Sequence, residues 1–354
     1  MSSPFTPPAL AAYLGAIHGR AVGAVRVTPL GGGRQGDKGY GYGIPLRVDY
    51  TLDGAPRRAV IETVRPGPFG HEHMSDRAQS LLWAHQAFGR LPRHVASLDV
   101  GAVRSSGALV PLGNAEELFM LAEFVEGSEY ADDLLRLRGG AALAPLDLQR
   151  ADALCDYLVE IHRVAGPDPG LYVRRVRELV GHGECIFGVA DSYPAQHDLA
   201  GIEKRCVDWR WKLKRRTHRL RQVHGDFHPW NLMFRDGADF SVLDRSRGEW
   251  GEPADDVTCL ALNYLFFSLQ RSGKLEGAFE RLWSRFWERY LERSGDRELL
   301  EVAAPFLAFR GLVMANPLWY PALDPALRAR MLSFVRRVLD EERFDPARAN
   351  EYCA

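Results

Sequence analysis

The chain has 354 residues, 46% apolar and 26% charged, with a formal net charge of −1. The length allows roughly two domains of about 150 residues each, and the near-neutral balance gives no large-scale attraction to nucleic acid or an anionic membrane. No apolar run approaches the roughly 18 residues needed to cross a bilayer, MSSPFTPPALAAYLGAIHGR lacks the basic start and apolar core of a secretory signal, and the five cysteines are scattered without a C-x-x-C pair, against a disulfide framework or a zinc ribbon; a soluble cytoplasmic protein is expected.

Taken in chain order, the first quarter reads as strands joined by glycine-rich turns: AVRVTPL (24–30), the run GGGRQGDKGYGYG (31–43), IPLRVDYTL (44–52), and RRAVIETV (57–64) after the turn DGAP. Asp53-Gly54 between two β-rich runs predicts a hairpin. SDRAQSLLWAHQAF (75–88) predicts a helix, and two further strands are expected near 95–104 and 117–125. From Gly127 onward the apolar residues recur at helical spacing. The series are Ala151, Leu154, Leu158 and Ile161; Val257, Leu260, Tyr264 and Leu265; Phe279, Leu282, Trp283 and Phe286; and Met331, Phe334, Val335 and Val338. Residues 223–245 read as short strands and loops within this helical region. A β-rich first lobe followed by a helical second lobe is an α+β arrangement, in which a ligand is expected between the lobes.

The chemistry-bearing segment is His224-Gly225-Asp226-Phe227-His228-Pro229-Trp230-Asn231, followed by Val242-Leu243-Asp244. Moving a phosphoryl group from ATP to a hydroxyl needs a carboxylate facing the hydroxyl, oxygen ligands for Mg²⁺, and an enclosure for the phosphates. Mg²⁺ takes oxygen donors and keeps several waters, so one Asn and one Asp beside the phosphates suffice. The spacing D-x-x-x-x-N with an Asp thirteen residues later parallels the catalytic and metal-binding pattern of protein kinases. His224 and His228 read either as metal ligands or as buried hydrogen-bonding residues that shape the loop.

HGDFHPWNLMF and VLDRSRGEWGEPADDV resemble the H-G-D-x-x-x-x-N and I-D-x-x-x-x-x-x-G-x-P-x-x-D segments of aminoglycoside phosphotransferases and choline-kinase-like enzymes. LFMLAEFVEGSEYADDL (118–134) is similar to the inter-lobe hinge of that family, and LCDYLVEIHRV (154–164) to its first large helix. The resemblance implies a protein-kinase-like α+β fold. It would have a small β-rich N-terminal nucleotide-binding lobe over 1–122, a hinge at 123–127, and a helical C-terminal lobe over 128–354 carrying the catalytic loop 223–245. It further implies an ATP- and Mg²⁺-dependent phosphotransferase acting on a hydroxyl of a small polar molecule (an amino sugar, sugar or amino alcohol). Asp226 would be the catalytic base or hydroxyl-orienting carboxylate, Asn231 and Asp244 the Mg²⁺ ligands, and Asp256 the support of the catalytic loop. The backbone from Glu123 to Val125 would hold adenine. A monomer or homodimer is expected, with no nucleic-acid or membrane partner.

The glycine run, with Gly33 and Gly36, satisfies G-x-G-x-x-G, but it leads into another β-run instead of the helix that a dinucleotide fold requires. A flap over phosphates fits the strand-loop-strand context better, and a plain surface turn is the bland alternative. The family's third-strand Lys is absent: Glu62 falls at its place, and Arg77 falls where the following helix carries Glu. A reversed Glu62–Arg77 ion pair is therefore expected, with Arg77 or Lys38 supplying positive charge to the phosphates. A slipped alignment is one alternative, and a catalytically impaired nucleotide-binding pseudokinase with a regulatory or scaffold role is another. Arg245 also departs from the pattern, standing where the family carries an aromatic or apolar residue. The basic stretch Lys204–Arg221 reads as a solvated helix face rather than a single-strand binding surface. Neither His71-Glu72-His73 nor His182-Gly183-Glu184-Cys185 has a matched second pair for zinc. Of the acidic group Glu249, Glu252, Asp255 and Asp256, all but Asp256 are expected on the loop surface, the alternative being attraction of a cationic substrate.

Overall fold

The computed structural model describes residues 3–30, 43, 45–67, 70–90, 92–197 and 199–354, and the chain divides into two units, Met1–Ala122 and Glu123–Ala354. The first unit runs α1 (Pro7–His18), β1 (Val22–Pro29), β2 (Leu46–Leu52), β3 (Ala55–Ile61), α2 (Met74–Phe88), β4 (Gly101–Val103) and β5 (Leu109–Pro111). Helix α1 was not read from periodicity, but its end signals are local: the Thr6 side chain accepts from Ala9 N, Pro7 and Pro8 occupy the first turn, and Gly19 closes the helix in the left-handed region. β1, β2 and β3 form an antiparallel sheet in that order. The hairpin turn lies at Asp53-Gly54, both at positive φ (53° and 78°), the geometry that matches the twist of the flanking strands. Val48 and Tyr50 alternate inward from β2 and are buried with Leu10 and Leu14 of α1.

Two expectations for this unit fail. No strand forms over 117–125 among the described residues; Phe119, Met120, Leu121 and Phe124 are 88–93% exposed, because an apolar run makes a strand only where a neighbouring strand takes up its backbone groups. Glu62 and Arg77 form no ion pair. Glu62 lies just past the end of β3 and is exposed, while the Arg77 guanidinium donates to the carbonyls of His71 and Glu72 at 2.9 and 3.1 Å. Arg77 thus ties down the loop entering α2, a local task that leaves the exchanged charges uncoupled.

The second unit runs β6 (Ser128–Glu129), α3 (Tyr130–Arg138), α4 (Pro145–Ile161), α5 (Pro169–Gly181), α6 (Ile186–Asp191), α7 (Ala200–Leu213) and β7 (Arg221–Gln222). It continues with β8 (Leu232–Phe234), β9 (Phe240–Val242), β10 (Trp250–Gly251), α8 (Pro253–Ser272), α9 (Gly277–Ser294), α10 (Leu299–Val302), α11 (Ala304–Ala315), α12 (Pro325–Asp340) and α13 (Ala349–Tyr352). Every residue of α8 from Pro253 to Leu269 is buried, as expected of a helix at the centre of its unit. Asp255 and Asp256 sit in its first turn, where the positive end of the helix dipole favours carboxylates.

The basic stretch falls partly on α7. Ile202, Cys206, Trp209 and Leu213 face the core, the Trp209 indole donates to Leu339 O, and Trp211 stays exposed with Lys214 over its ring. One aromatic is therefore structural, and the basic side chains of α7 line a solvated face. All five cysteines are buried free thiols, and among the described residues no helix is long and apolar enough to cross a membrane.

Helices α11 and α12 pack closely at Gly311, where an added Cβ would stand 2.6 Å from Val335 Cγ2. Valine's branched side chain is stiff, so the helices themselves must separate. Gly311→Ala is expected to destabilise the protein by about 1–3 kcal/mol, measured as a lower urea midpoint with unchanged slope.

Candidate active site

The candidate site is built on the loop from Val223 to Asn231 and on the β8–β9 hairpin behind it. Strands β7 and β10 pair (Gln222↔Trp250), and Val223 N donates to Glu249 O at 3.1 Å, which fixes where the chain leaves the ladder. Gly225 then turns at φ +87°, a conformation that side chains bearing Cβ rarely adopt. The turn leaves His224 N and Gly225 N pointing inward, and the buried Asp256 carboxylate accepts both, at 2.8 and 2.7 Å. A third donor is His162 Nε2 at 3.1 Å, from the end of α4, whose Nδ1 contacts Tyr290 OH of α9 at 2.7 Å. Burial pushes the Asp256 carboxyl up, but the His162 hydrogen bond and charge, together with the backbone donor, outweigh it and hold it below the usual range. The ionised acceptor places a proton on His162 Nε2.

His224 uses both ring nitrogens within the loop. Nδ1 accepts from Asp226 N at 3.3 Å, so Nε2 carries the proton donated to Leu243 O at 2.8 Å. That bond ties the 223–231 loop to the strand leading to Asp244, and it leaves neither nitrogen for a metal. His228 Nδ1 accepts from Trp230 N at 3.2 Å and caps the turn Pro229–Asn231. Burial lowers its pKa; Asp226 and, more weakly, Asp244 pull it up, while Arg310 and His224 push it further down.

Asn231 Nδ2 donates to Asp226 O at 3.0 Å, so its Oδ1, which accepts no hydrogen bond among the described residues, is the atom left over. The β8–β9 register (Leu232↔Val242) and the Leu243 N to Asn231 O bond of 2.8 Å set Asn231 beside Leu243. Asp244 follows, exposed, at φ +54°. Asp tolerates this left-handed conformation better than most residues. Its Oδ1 accepts from Ser246 N at 3.2 Å. An uncommitted amide oxygen and an exposed carboxylate at one end of a hairpin are a donor set of the hard-oxygen kind that Mg²⁺ takes. Among the described residues no group of three His, Cys, Asp or Glu side chains forms a metal cluster.

Asp226 is mostly buried, its side chain 14% exposed, and cations surround it. Arg310 Nη1 lies 2.5 Å from Oδ1; Arg247 Nε and His228 Nε2 each lie 3.7 Å from Oδ2. Burial alone would raise its pKa, but Arg310, then Arg247 and His228, hold it below the ordinary carboxylate range.

The surface expectation for the acidic group fails at Glu252 and Asp255. Glu249 is exposed, but Glu252, Asp255 and Asp256 are buried. Arg219 makes a two-pronged pair with Glu252 and a second with Asp296, and Tyr172 OH donates to Glu252 at 2.8 Å. Asp255 is held by Arg175 and Arg310 at 2.6 and 3.0 Å. Their charges are consumed internally, so they do not attract a cationic substrate. Arg245 holds Val223 O at 2.8 Å and Glu249 O at 3.1 Å, which stiffens the ladder at the root of the 223–231 loop. Gly33, Gly36 and Lys38 lie outside the described residues. Glu123 is exposed and Val125 half-buried, and the backbone of 123–125 makes no hydrogen bond among the described residues. Sequence reasoning missed Arg310, Arg247, Arg175 and Tyr290. The one available signal was Arg310 itself, the single charged residue in the apolar run APFLAFRGLVMA.

Because the folded-state pKa of Asp256 is depressed, its stabilisation is complete above the unfolded carboxylate value of about 4 and is lost as pH falls through the folded value. Asp256→Asn puts an amide donor against inward N–H groups and is expected to cost about 3–5 kcal/mol. It should also flatten the acid limb of stability, checked by urea titrations between pH 3 and 7, in a range set by those pKa values.

The sequence matches the model of a phosphotransferase enzyme family, APH, over residues 50–294, more than half of the chain. Similar solved structures include an amicoumacin kinase, hAmiN, in complex with AMP-PNP, Ca²⁺ and Ami (16% identity, 91% of each chain, TM-score 0.42). A glucosamine kinase is similar at 16% identity over 90% of this chain and 76% of that one (TM-score 0.40), and a Plasmodium vivax ethanolamine kinase at 11% over 93% and 80% (TM-score 0.33). No curated protein matches the sequence. The chain, with its protein-kinase-like α+β fold, belongs to the phosphotransferase enzyme family.

Proposed function

We propose that this phosphotransferase moves the γ-phosphoryl group of ATP to a hydroxyl of a small polar molecule: an amino sugar, sugar or amino alcohol. The observation that carries the reading is the catalytic loop itself. Asp226 is held ionised by neighbouring cations, beside an Asn231 whose Oδ1 is uncommitted and an Asp244 whose carboxylate is exposed. Phosphoryl transfer asks mainly for positioning and charge neutralisation rather than a strong base. An Asp of depressed pKa suits that demand: it accepts a hydrogen bond from the hydroxyl and orients it, and it takes the proton only as the new bond forms. Asn231 Oδ1 and Asp244 would hold Mg²⁺, which when bound neutralises phosphate charge. The unpaired backbone of Glu123 to Val125 has the donors and acceptors that adenine needs. Arg77 spends its guanidinium on the loop before α2, which leaves Lys38 as the candidate for the phosphates, with Gly33 and Gly36 in the flap.

Saturating ATP with Mg²⁺, at about 100 times Kd, is expected to stabilise the protein by about 2.7 kcal/mol, read as a thermal shift that disappears without Mg²⁺ and in Asp244→Asn. ATP consumption against a panel of amino sugars, sugars and amino alcohols should be abolished in Asp226→Asn while the thermal shift persists. Turnover by that variant at the wild-type rate would remove Asp226 from the reaction. A shift with no turnover of any acceptor would favour the pseudokinase reading.

A further inference from the structure

Arg310 lies on α11, beyond the matched family segment, and its side chain is only 7% exposed. One guanidinium makes three bonds: Nη1 to Asp226 Oδ1 at 2.5 Å, Nη2 to Gly225 O at 2.9 Å, and Nη2 to Asp255 Oδ1 at 3.0 Å. It therefore grips both the backbone and the side chain of the catalytic loop and anchors them to the start of α8. Asp255 is fixed from its other side by Arg175 of α5 at 2.6 Å, and the Arg310 guanidinium also rests over the Phe309 ring, 5.0 Å from its centre. A planar fork can hold a carboxylate oxygen and a carbonyl at once in a fixed relation, which a lysine ammonium cannot.

Stability alone does not account for this arrangement. A buried ion-pair chain is about as stable as, or less stable than, well-packed apolar residues in the same space, and Arg310 Nε is left without a partner. The consequence for Asp226 is specific. Oδ1 is taken, whereas Oδ2 has Arg247 and His228 only at 3.7 Å, beyond hydrogen-bond range. Oδ2 is thus the oxygen left to accept a hydrogen bond from an incoming group. Resting on the phosphotransfer reading above, we propose that Arg310 is a positioning residue: by holding Oδ1 and the Gly225 carbonyl, it presents Oδ2 of Asp226 to the acceptor hydroxyl.

The test compares wild type with Arg310→Lys and Arg310→Gln; the lysine variant keeps the charge if the glutamine variant does not fold. Crystal structures of wild type and variants give the position of the Asp226 carboxylate, and hydrolysis of Mg-ATP with water as acceptor gives kcat and KM. The carboxylate is expected to shift by more than about 0.5 Å, the tolerance of a productive site. With it, kcat should fall about 10- to 100-fold while KM for ATP stays within about twofold, the lysine variant being less impaired than the glutamine one. A carboxylate that stays in place, or a kcat that stays at the wild-type level despite a displaced carboxylate, overturns the proposal. If the wild type gains no stability from Mg-ATP, the phosphotransfer reading fails instead, and the carboxylate position still decides whether Arg310 holds Asp226.

Discussion

The buried carboxylate of Asp256 is the constraint on which the rest of the site depends. It accepts two consecutive backbone N–H groups of the 223–231 loop and the His162 imidazole, in a place with no solvent to substitute for any of them. A peptide turning at Gly225 leaves inward donors that must be satisfied. Asp256 meets that demand from a helix N-terminus, where its charge is favoured. Asp226, two residues beyond His224, inherits its position from this bracket. The conformation of the loop is thus built into the core, not imposed by a ligand.

Around this bracket, charge is arranged in alternating order. Arg175 faces Asp255, Asp255 faces Arg310, and Arg310 faces Asp226. Nearby, Arg219 sits between Glu252 and Asp296. Each buried charge would be costly alone, and each has an opposite neighbour. Helix α8 supplies Asp255 and Asp256, with Glu252 as its cap, and buries nearly its whole length. An almost wholly buried helix therefore carries at its entrance the groups that organise the polar site. The Asn231–Leu243 and His224–Leu243 bonds couple the two halves of the site, so that Asp244 is placed by the same hairpin that places Asn231.

The helices of the second unit were legible because an apolar face repeating every three to four residues survives whatever it packs against: α4, α8, α9 and α12 all lie where their periodicity puts them. The β2–β3 hairpin was legible from Asp53-Gly54, since the turn chemistry is local. The failures involve partners distant in sequence. The run 118–124 has the composition of a strand but no ladder, and Glu62 and Arg77 looked complementary in an alignment yet do not meet. Glu252 and Asp255 read as solvent-facing acids because acids usually are; their cations lie at Arg175, Arg219 and Arg310, on three separate elements.

By itself the sequence singled out the side chains proposed to carry the chemistry. The order and spacing of Asp226, Asn231 and Asp244 sit within one short loop-hairpin-loop stretch, where local turn geometry suffices to group them. Only the tertiary structure decided what holds them and which of their atoms stay open. The grip on Asp226 comes from Arg310, more than eighty residues away, and the cradle of Asp256 is completed by His162 and Tyr290 from other helices. Pairing of buried charges is a property of packing in three dimensions. A single arginine in an apolar helix announces that it needs a partner, but not which one.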